Sequence, residues 1–318
     1  MQQTKLQNRI RLALRALLLL ALAAVFAVFS SDAVNGRWAY YLPTTITVNG
    51  EEVVVNEALA LNEYTEADFA LDEDGRMTCL TSGWRTGIDV SAHQGDIDWE
   101  TVAADGVSFA MLRVGFRGYG TEGTLNLDES FLQNAQAALA AGVEIGVYFF
   151  SQATSVEEAA EEAAFVLEQL EGLDITFPVA YDWEMIDAED SGEGGARTDD
   201  VDEETAAACA EAFCAAVTQA GYRAALYVNN QTGYFSYDDA LLQSYFLWYA
   251  GYAQSYPDYY YAVDLWQYTE SGTVDGITGS VDLNIYPIET DPADSGSTGG
   301  TGGGSASGSL EADTKSSL

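Results

Sequence analysis

The stretch FPVAYDWE, residues 177–184, is a short apolar run that closes on two acids. Its reading decides the fold. Apolar character on successive residues marks a strand covered on both faces, the kind found in parallel sheets. On either side lie Ala-rich amphipathic stretches at 156–170 and 203–220, the second carrying Cys209, Phe213, Ala216 and Val217 in its helical pattern. Helix, strand and helix in alternation point to a parallel α/β fold.

Working outward, the same signal recurs at 87–91, 107–114, 144–150, 224–229, 245–252, 263–268 and 281–286. With 177–184 these make eight strands, the number of a closed barrel. Further helical patterns fall at 99–104 and 129–141, where Phe131, Ala135, Ala138 and Leu139 share a face, and a weaker one at 238–243. The links 253–262 and 270–280 are too short and too rich in Pro, Gly and Ser for crossover helices. The expected fold class is α/β: a modified TIM-type barrel of eight strands with about five helices, helices around its first part and hairpin-like connections at its close.

The 318-residue chain has 12 Lys and Arg against 50 Asp and Glu, a formal charge of -38 at pH 7. Four of those cations, Lys5, Arg9, Arg11 and Arg15, sit at the N-terminus. A nucleic-acid partner is excluded, since phosphate recognition needs clustered Lys and Arg. The basic start runs into ALLLLALAAVFAVF at 16–29, the layout of a secretory leader. Small residues at Ser31 and Ala33 suit a peptidase. Extended back through Leu12, the run also reaches the length of a marginal membrane span. Residues 1–33 are therefore either a cleaved signal peptide or a retained anchor, with everything after them outside the cytoplasm.

Residues 34–83 form a small accessory segment, in which Asn49-Gly50 between alternating runs reads as a hairpin turn. Residues 84–288 hold the barrel, and 289–318 are a Gly/Ser/Thr-rich tail expected to be disordered. The three cysteines, Cys79, Cys209 and Cys214, lack the paired spacing of a zinc site and read as buried small hydrophobes.

Chemistry in a parallel barrel belongs at the C-terminal ends of its strands. Asp182 and Glu184 lie there two residues apart, hence on one face, with Cα atoms about 6.5 Å apart. Asp89 near the end of the first strand and Asp282 near the start of the last complete a set of four. These three strands contain no Lys or Arg, and a buried acid without a partner is costly unless it has a task. Catalysis is the favoured reading. Hydrogen bonding of Asp89 and Asp282 to loop amides, and a Ca²⁺ or Mg²⁺ site, are the alternatives, the latter without a DxDxDG-like loop to support it.

The segments GIDVSAHQGDIDW (87–99), GVYFF (146–150), YDWE (181–184), LWYAGY (247–252), LWQYT (265–269) and VDLN (281–284) together resemble the lysozymes of glycoside hydrolase family 25. The resemblance covers about 86–288. It implies a (β/α)5(β)3-like barrel and an N-acetylmuramidase that cleaves the β-1,4 bond between N-acetylmuramic acid and N-acetylglucosamine in peptidoglycan. Glu184 would be the general acid. Asp182 would steady the substrate's 2-acetamido group or the oxocarbenium-like charge, so that no enzymic nucleophile is needed, and Asp89 and Asp282 would support them. No cofactor or metal is implied, and the expected partner is the glycan strand, bound by a monomer. For Glu184 to hold a proton near neutrality its pKa must rise, through like charge and partial burial.

A glycan groove wants aromatic platforms beside a few polar groups. Tyr148, Tyr227, Trp248 and Gln267 are the groove candidates, with plain packing as the alternative for each. His93, the only histidine, occupies a position commonly His in that family and reads as a loop-shaping or substrate-contacting residue. Arg113 is a candidate interior cation. The stretch 186–204 sets nine acids against Arg197 directly after the catalytic strand. Two other readings share these features: a catalytically silent, membrane-tethered glycan-binding barrel, and a hydrolase of another acetamido-sugar polymer such as chitin.

Overall fold

A computed structural model describes residues 44–186, 196–252 and 254–288. The expected leader or anchor, the acidic core of the 186–204 stretch at 187–195, and the tail from 289 lie outside the described residues. Among those described, no helix is long and apolar enough to cross a membrane.

The chain divides into two units at Ala58 and Leu59. In the first, β1 (Thr45–Val48) and β2 (Glu51–Val54) pair antiparallel with Val48 opposite Glu51. Asn49 and Gly50 between them have φ of 51° and 87°. Both angles are positive, as a two-residue turn matching strand twist demands, so the Asn-Gly reading holds for this reason.

The second unit opens with a hairpin, β3 (Phe69–Leu71) and β4 (Met77–Cys79), and continues into the barrel. Its eight staves are β5 (Gly83–Val90), β6 (Phe109–Arg117), β8 (Glu144–Ser151), β9 (Ile175–Trp183), β10 (Ala224–Val228), β11 (Phe246–Ala250), β12 (Leu265–Gly272) and β13 (Val281–Ile288), and β5 pairs with both β13 and β6 to close the ring. Each stave falls within or over a predicted strand. A short extra strand, β7 (Leu125–Leu127), runs antiparallel along the end of β6. Among the described residues the helices are α1 (Trp99–Ala104), α2 (Phe131–Ala140), α3 (Val156–Gln169), α4 (Glu203–Gln219), α5 (Asn230–Phe235) and α6 (Asp239–Ser244). Ser155, Asp202, Asn229 and Asp238 cap the starts of the last four with side-chain oxygens, satisfying amides that have no partner within the helix. Only α5 had no counterpart in the sequence pattern, its apolar content being too slight to show a period.

Of the two links expected to be hairpin-like, the one from β12 to β13 is, joining antiparallel neighbours, and the one from β11 to β12 is not. β11 and β12 are parallel, joined by a crossover without a helix. That link is instead held by tyrosines: Tyr259 Oη donates to the Gly233 carbonyl at 2.8 Å and its ring stacks on Tyr249. β13 then runs antiparallel to both β12 and β5, which carries its first residues to the rim where the parallel strands end.

Inside the barrel the lower layer is aromatic. Phe109 and Phe177 stack at 4.3 Å, with Tyr286 edge-on to both. Gly87 is required here because a Cβ at that position would collide with the Phe109 ring. Above lie Met111, Tyr148, Tyr227 and Trp248, and above those the acids. The three cysteines are free and buried.

Candidate active site

β9 sets the site. Ala180 faces the barrel interior, so Asp182 does too, and Glu184 follows on the same side one residue past the strand end. Tyr181 points outward, against Phe213 of α4. β5 supplies Asp89. In the antiparallel pairing of β13 with β5, Asp282 is the direct register partner of Asp89. All four predicted acids therefore meet at one mouth, and the reversal of β13 is what brings Asp282 there.

They form two pairs. Asp89 and Asp282 share a hydrogen bond, as do Asp182 and Glu184. Burial pushes all four carboxyls up: Glu184 to about 7, Asp282 to about 8, Asp182 well above the carboxylate range and Asp89 above its ordinary value. Like charge adds to this, from Asp282 on Glu184 and from Asp89 on Asp282 and Asp182. Near neutrality each pair keeps a proton, which titrates as a property of the pair. Asp89 and Asp182 are each 5% exposed, whereas Glu184 and Asp282 are half-buried. Asp182 Oδ1 is buried and meets no donor among the described residues.

Beneath the acids two amides are locked by their neighbours. Gln267 Oε1 accepts from Tyr227 Oη at 2.7 Å and Tyr252 Oη at 2.8 Å, so its Nε2 is left to donate to Asp89 Oδ2 at 2.7 Å. Asn284 Oδ1 accepts the Trp248 indole N–H at 2.7 Å, so its Nδ2 donates to the same oxygen at 2.8 Å. An indole nitrogen only donates, which fixes the amide's orientation. On the other side, Asn229 caps α5 with Oδ1 and turns Nδ2 towards Glu184 Oε2 at 3.4 Å. Gln152, fully buried, donates to the backbone carbonyl of Glu184 at 3.2 Å.

The predicted groove residues separate by depth. Tyr148 is half-buried and Tyr227 is 7% exposed. Trp248 is 1% exposed and Gln267 2%, so neither presents a surface to a ligand. Trp248 lies edge-on beneath Tyr148 and Tyr227, and both residues act through the bonds they make to the acid layer. His93 is exposed in a turn at Ala92–Gln94. Arg113 is committed to Asp128 at 2.9 Å, yet its charge still lowers Asp182. Asp128 also accepts from the Ala92 amide, tying the turn after β5 to the start of α2. Asn284, Asn229, Tyr252, Gln152 and Asp128 were not predicted as site residues. Asn284 had a cue in standing two residues after Asp282, Tyr252 in closing the LWYAGY motif and Asn229 in ending a predicted strand. Among the described residues, no three His, Cys, Asp or Glu side chains are placed to hold a metal ion.

A family model described as glycosyl hydrolases family 25 matches residues 88–277. The uncharacterized protein YegX of Escherichia coli O6:H1 is 30% identical over 213 residues, covering 63% of this chain and 68% of that protein. The autolytic lysozyme of Clostridium acetobutylicum is 25% identical over 201 residues, covering 63% of this chain and 55% of its own. Among solved structures, the modular autolysin LytC from Streptococcus pneumoniae superposes with a TM-score of 0.56 at 20% identity, covering 77% of this chain and 52% of that one. At that identity the likeness is one of fold. The chain spans about half the length of these last two proteins.

Proposed function

Since the chain belongs to glycosyl hydrolase family 25 and is a glycoside hydrolase, we propose that it is an exported lysozyme cutting the β-1,4 bond between N-acetylmuramic acid and N-acetylglucosamine in bacterial peptidoglycan. The observation that carries this reading is the Asp182–Glu184 pair at the end of β9, one carboxyl buried and one reaching the mouth, opposite Asp89 and Asp282. Whichever oxygen holds the pair's proton in the free protein, only Glu184 is open enough to pass it to a glycosidic oxygen. As the C1–O bond breaks, that proton goes to the leaving sugar's hydroxyl.

The displacing group on C1 is assigned to the substrate's own acetamido oxygen. In support of this, Asp182 Oδ1 is a buried acceptor lacking a donor, suited to hold the acetamido N–H and orient its carbonyl. Water then opens the cyclic intermediate and returns a proton to Glu184. Asp89 and Asp282 keep the field negative around the developing positive charge. Tyr148, the most open of the predicted groove aromatics, is assigned to the sugar face, with His93 at the rim. Residues 84–288 are the catalytic barrel, 34–83 an accessory segment, and 1–33 the leader or anchor that places the barrel at the cell wall. The protein acts as a monomer.

The test is digestion of purified peptidoglycan by the full chain, with Glu184→Gln in parallel and mass analysis of the reduced products. Fragments ending in reducible N-acetylmuramic acid, absent with the variant, are expected. No release by folded wild-type protein, or faster release from chitin oligomers, would overturn the assignment.

A further inference from the structure

The β3–β4 hairpin precedes the residues that the family model matches, yet it stands against the barrel beside the active-site rim. Phe69 packs edge-on to Trp266 at 5.3 Å, the Met77 amide donates to Tyr268 Oη at 3.2 Å, and Arg76 pairs with Asp105. Between this hairpin and the turn joining β12 to β13 lies a cavity of about 490 Å³, whose walls include Leu71, Met77, Tyr252, Tyr268, Ser271 and Thr273. That volume falls in the range of small-molecule sites, about 300–1,000 Å³.

Tyr252 is the partition between this cavity and the catalytic mouth. The residue lines the cavity and is 37% exposed, while its hydroxyl donates to Gln267 Oε1 at 2.8 Å. Glu270, on the cavity wall, is close enough to Asp282 for its charge to raise that carboxyl. The two spaces are neighbours.

The chemistry of the walls selects the occupant. Tyr252, Tyr268 and Leu71 offer apolar faces, Ser271 and Thr273 offer hydroxyls, and Asp74 and Glu270 offer acceptors. The lining cation, Arg76, is already engaged by Asp105. An anionic group would therefore meet repulsion, whereas a neutral sugar presents apolar C–H faces and hydroxyl donors to such a wall. We propose that this cavity is an outlying glycan subsite, built by a hairpin that precedes the family match, and that it takes an uncharged N-acetylglucosamine-type unit of the strand being cut. The proposal rests on the reading of the four acids as a peptidoglycan-cleaving site.

Filling the cavity tests it. In the full chain, Ser271→Trp and separately Thr273→Trp alter residues with no part in the acid cluster. Each is made in wild-type protein for kinetics and in Glu184→Gln for calorimetric binding, and thermal melting checks that it folds. The probes are peptide-free glycan oligomers of four and of eight sugars, with peptide-bearing strands alongside. The expected result is a drop of about 10-fold or more in affinity and kcat/KM for the octasaccharide, with the tetrasaccharide unchanged. Folded filled variants that treat both lengths as the parent does would overturn the subsite while leaving the enzyme reading intact. Loss confined to peptide-bearing strands would overturn the sugar assignment in favour of the stem peptide. A parent that neither binds nor cuts any oligomer would overturn the enzyme reading and the subsite together.

Discussion

Trp248 donates its indole N–H to Asn284 Oδ1 at 2.7 Å, and this bond decides what the other end of that amide presents to Asp89. Without the indole donor the amide is free to turn its oxygen towards the carboxyl. Trp248→Phe removes the donor and leaves a void in a packed layer, so a stability loss of about 1–3 kcal/mol is expected in denaturant unfolding. Because the ring touches no ligand, kcat should fall about 10-fold with KM nearly unchanged. A rise in KM alone would return Trp248 to the groove surface.

The raised carboxyls set the pH profile. In the proposed mechanism hydrolysis uses the proton held by the Asp182–Glu184 pair, and burial pushes Glu184 up to about 7 and Asp282 up to about 8. Activity is expected to hold in mildly acidic solution and to fall as pH rises through about 7 to 8. Glu184→Gln should lower kcat by about 10²–10⁴ on the acidic side of that fall, with the difference narrowing above it. A profile that stays flat into strongly alkaline solution would refute this assignment of the acid.

The same burial makes the site a stability cost. Asp182 has a folded pKa raised well above its unfolded value, so the folded state binds its proton more tightly. The resulting stabilisation is fully present below the unfolded pKa, about 4, and is lost as pH rises through the folded value. Asp182→Asn keeps the shape without the charge. Its melting temperature should match wild type near pH 4 and exceed it by several degrees near pH 9, while activity drops at both. Equal melting curves at alkaline pH would show that Asp182 stays neutral or solvated there.

The barrel was legible because each stave carries its own apolar run, and the acid pair because alternation places residues 182 and 184 on one face whatever the barrel's tilt. Depth was not legible. Tyr148 and Trp248 have the same kind of sequence signal, yet one lies half-open near the mouth and the other is sealed beneath it, since strand stagger sets height along the axis. The hydrogen bonds that orient Gln267 and Asn284 join strands distant in sequence, and no local pattern announces them. Arg113 illustrates the same limit: its ion pair with Asp128 depends on where the β7 segment folds back, not on the strand that carries it.

Outside the barrel, Arg117 makes two ion pairs of unequal weight. It reaches Glu162 at 2.6 Å, with Arg117 3% exposed and the Glu162 side chain 0%, and Glu161 at 2.9 Å with a side chain 61% exposed. Ser151 Oγ also lies 2.6 Å from Glu162, which burial raises to about 7. Glu162→Ala leaves the buried guanidinium with the Gly123 and Glu158 carbonyls and a single, exposed carboxylate, Glu161, and is expected to cost about 3–5 kcal/mol. Glu161→Ala should cost less than about 1 kcal/mol. Equal costs in urea unfolding would mean that water reaches the inner pair.

Gln152 holds Glu184, the proposed general acid, through its backbone. The amide donates to the Glu184 carbonyl at 3.2 Å, its own oxygen accepts from Thr198 Oγ1 at 3.2 Å, and its main-chain carbonyl accepts from Arg197 at 3.1 Å. Arg197 in turn pairs with Glu158 of α3 at 2.7 Å. Glu184 follows the last residue of β9, so its side-chain position depends on this clamp rather than on sheet pairing. Gln152→Ala cuts the clamp without touching a carboxyl. Misplacing a proton donor costs rate more than affinity, so kcat should fall about 10-fold with KM within about twofold, and the alkaline limb should shift as Glu184 gains water. Gln152→Glu, which keeps the size but loses the donor, should behave like Ala. If Gln152→Glu restores wild-type kcat and an unshifted limb, the residue acts by filling space and the clamp is not what positions Glu184.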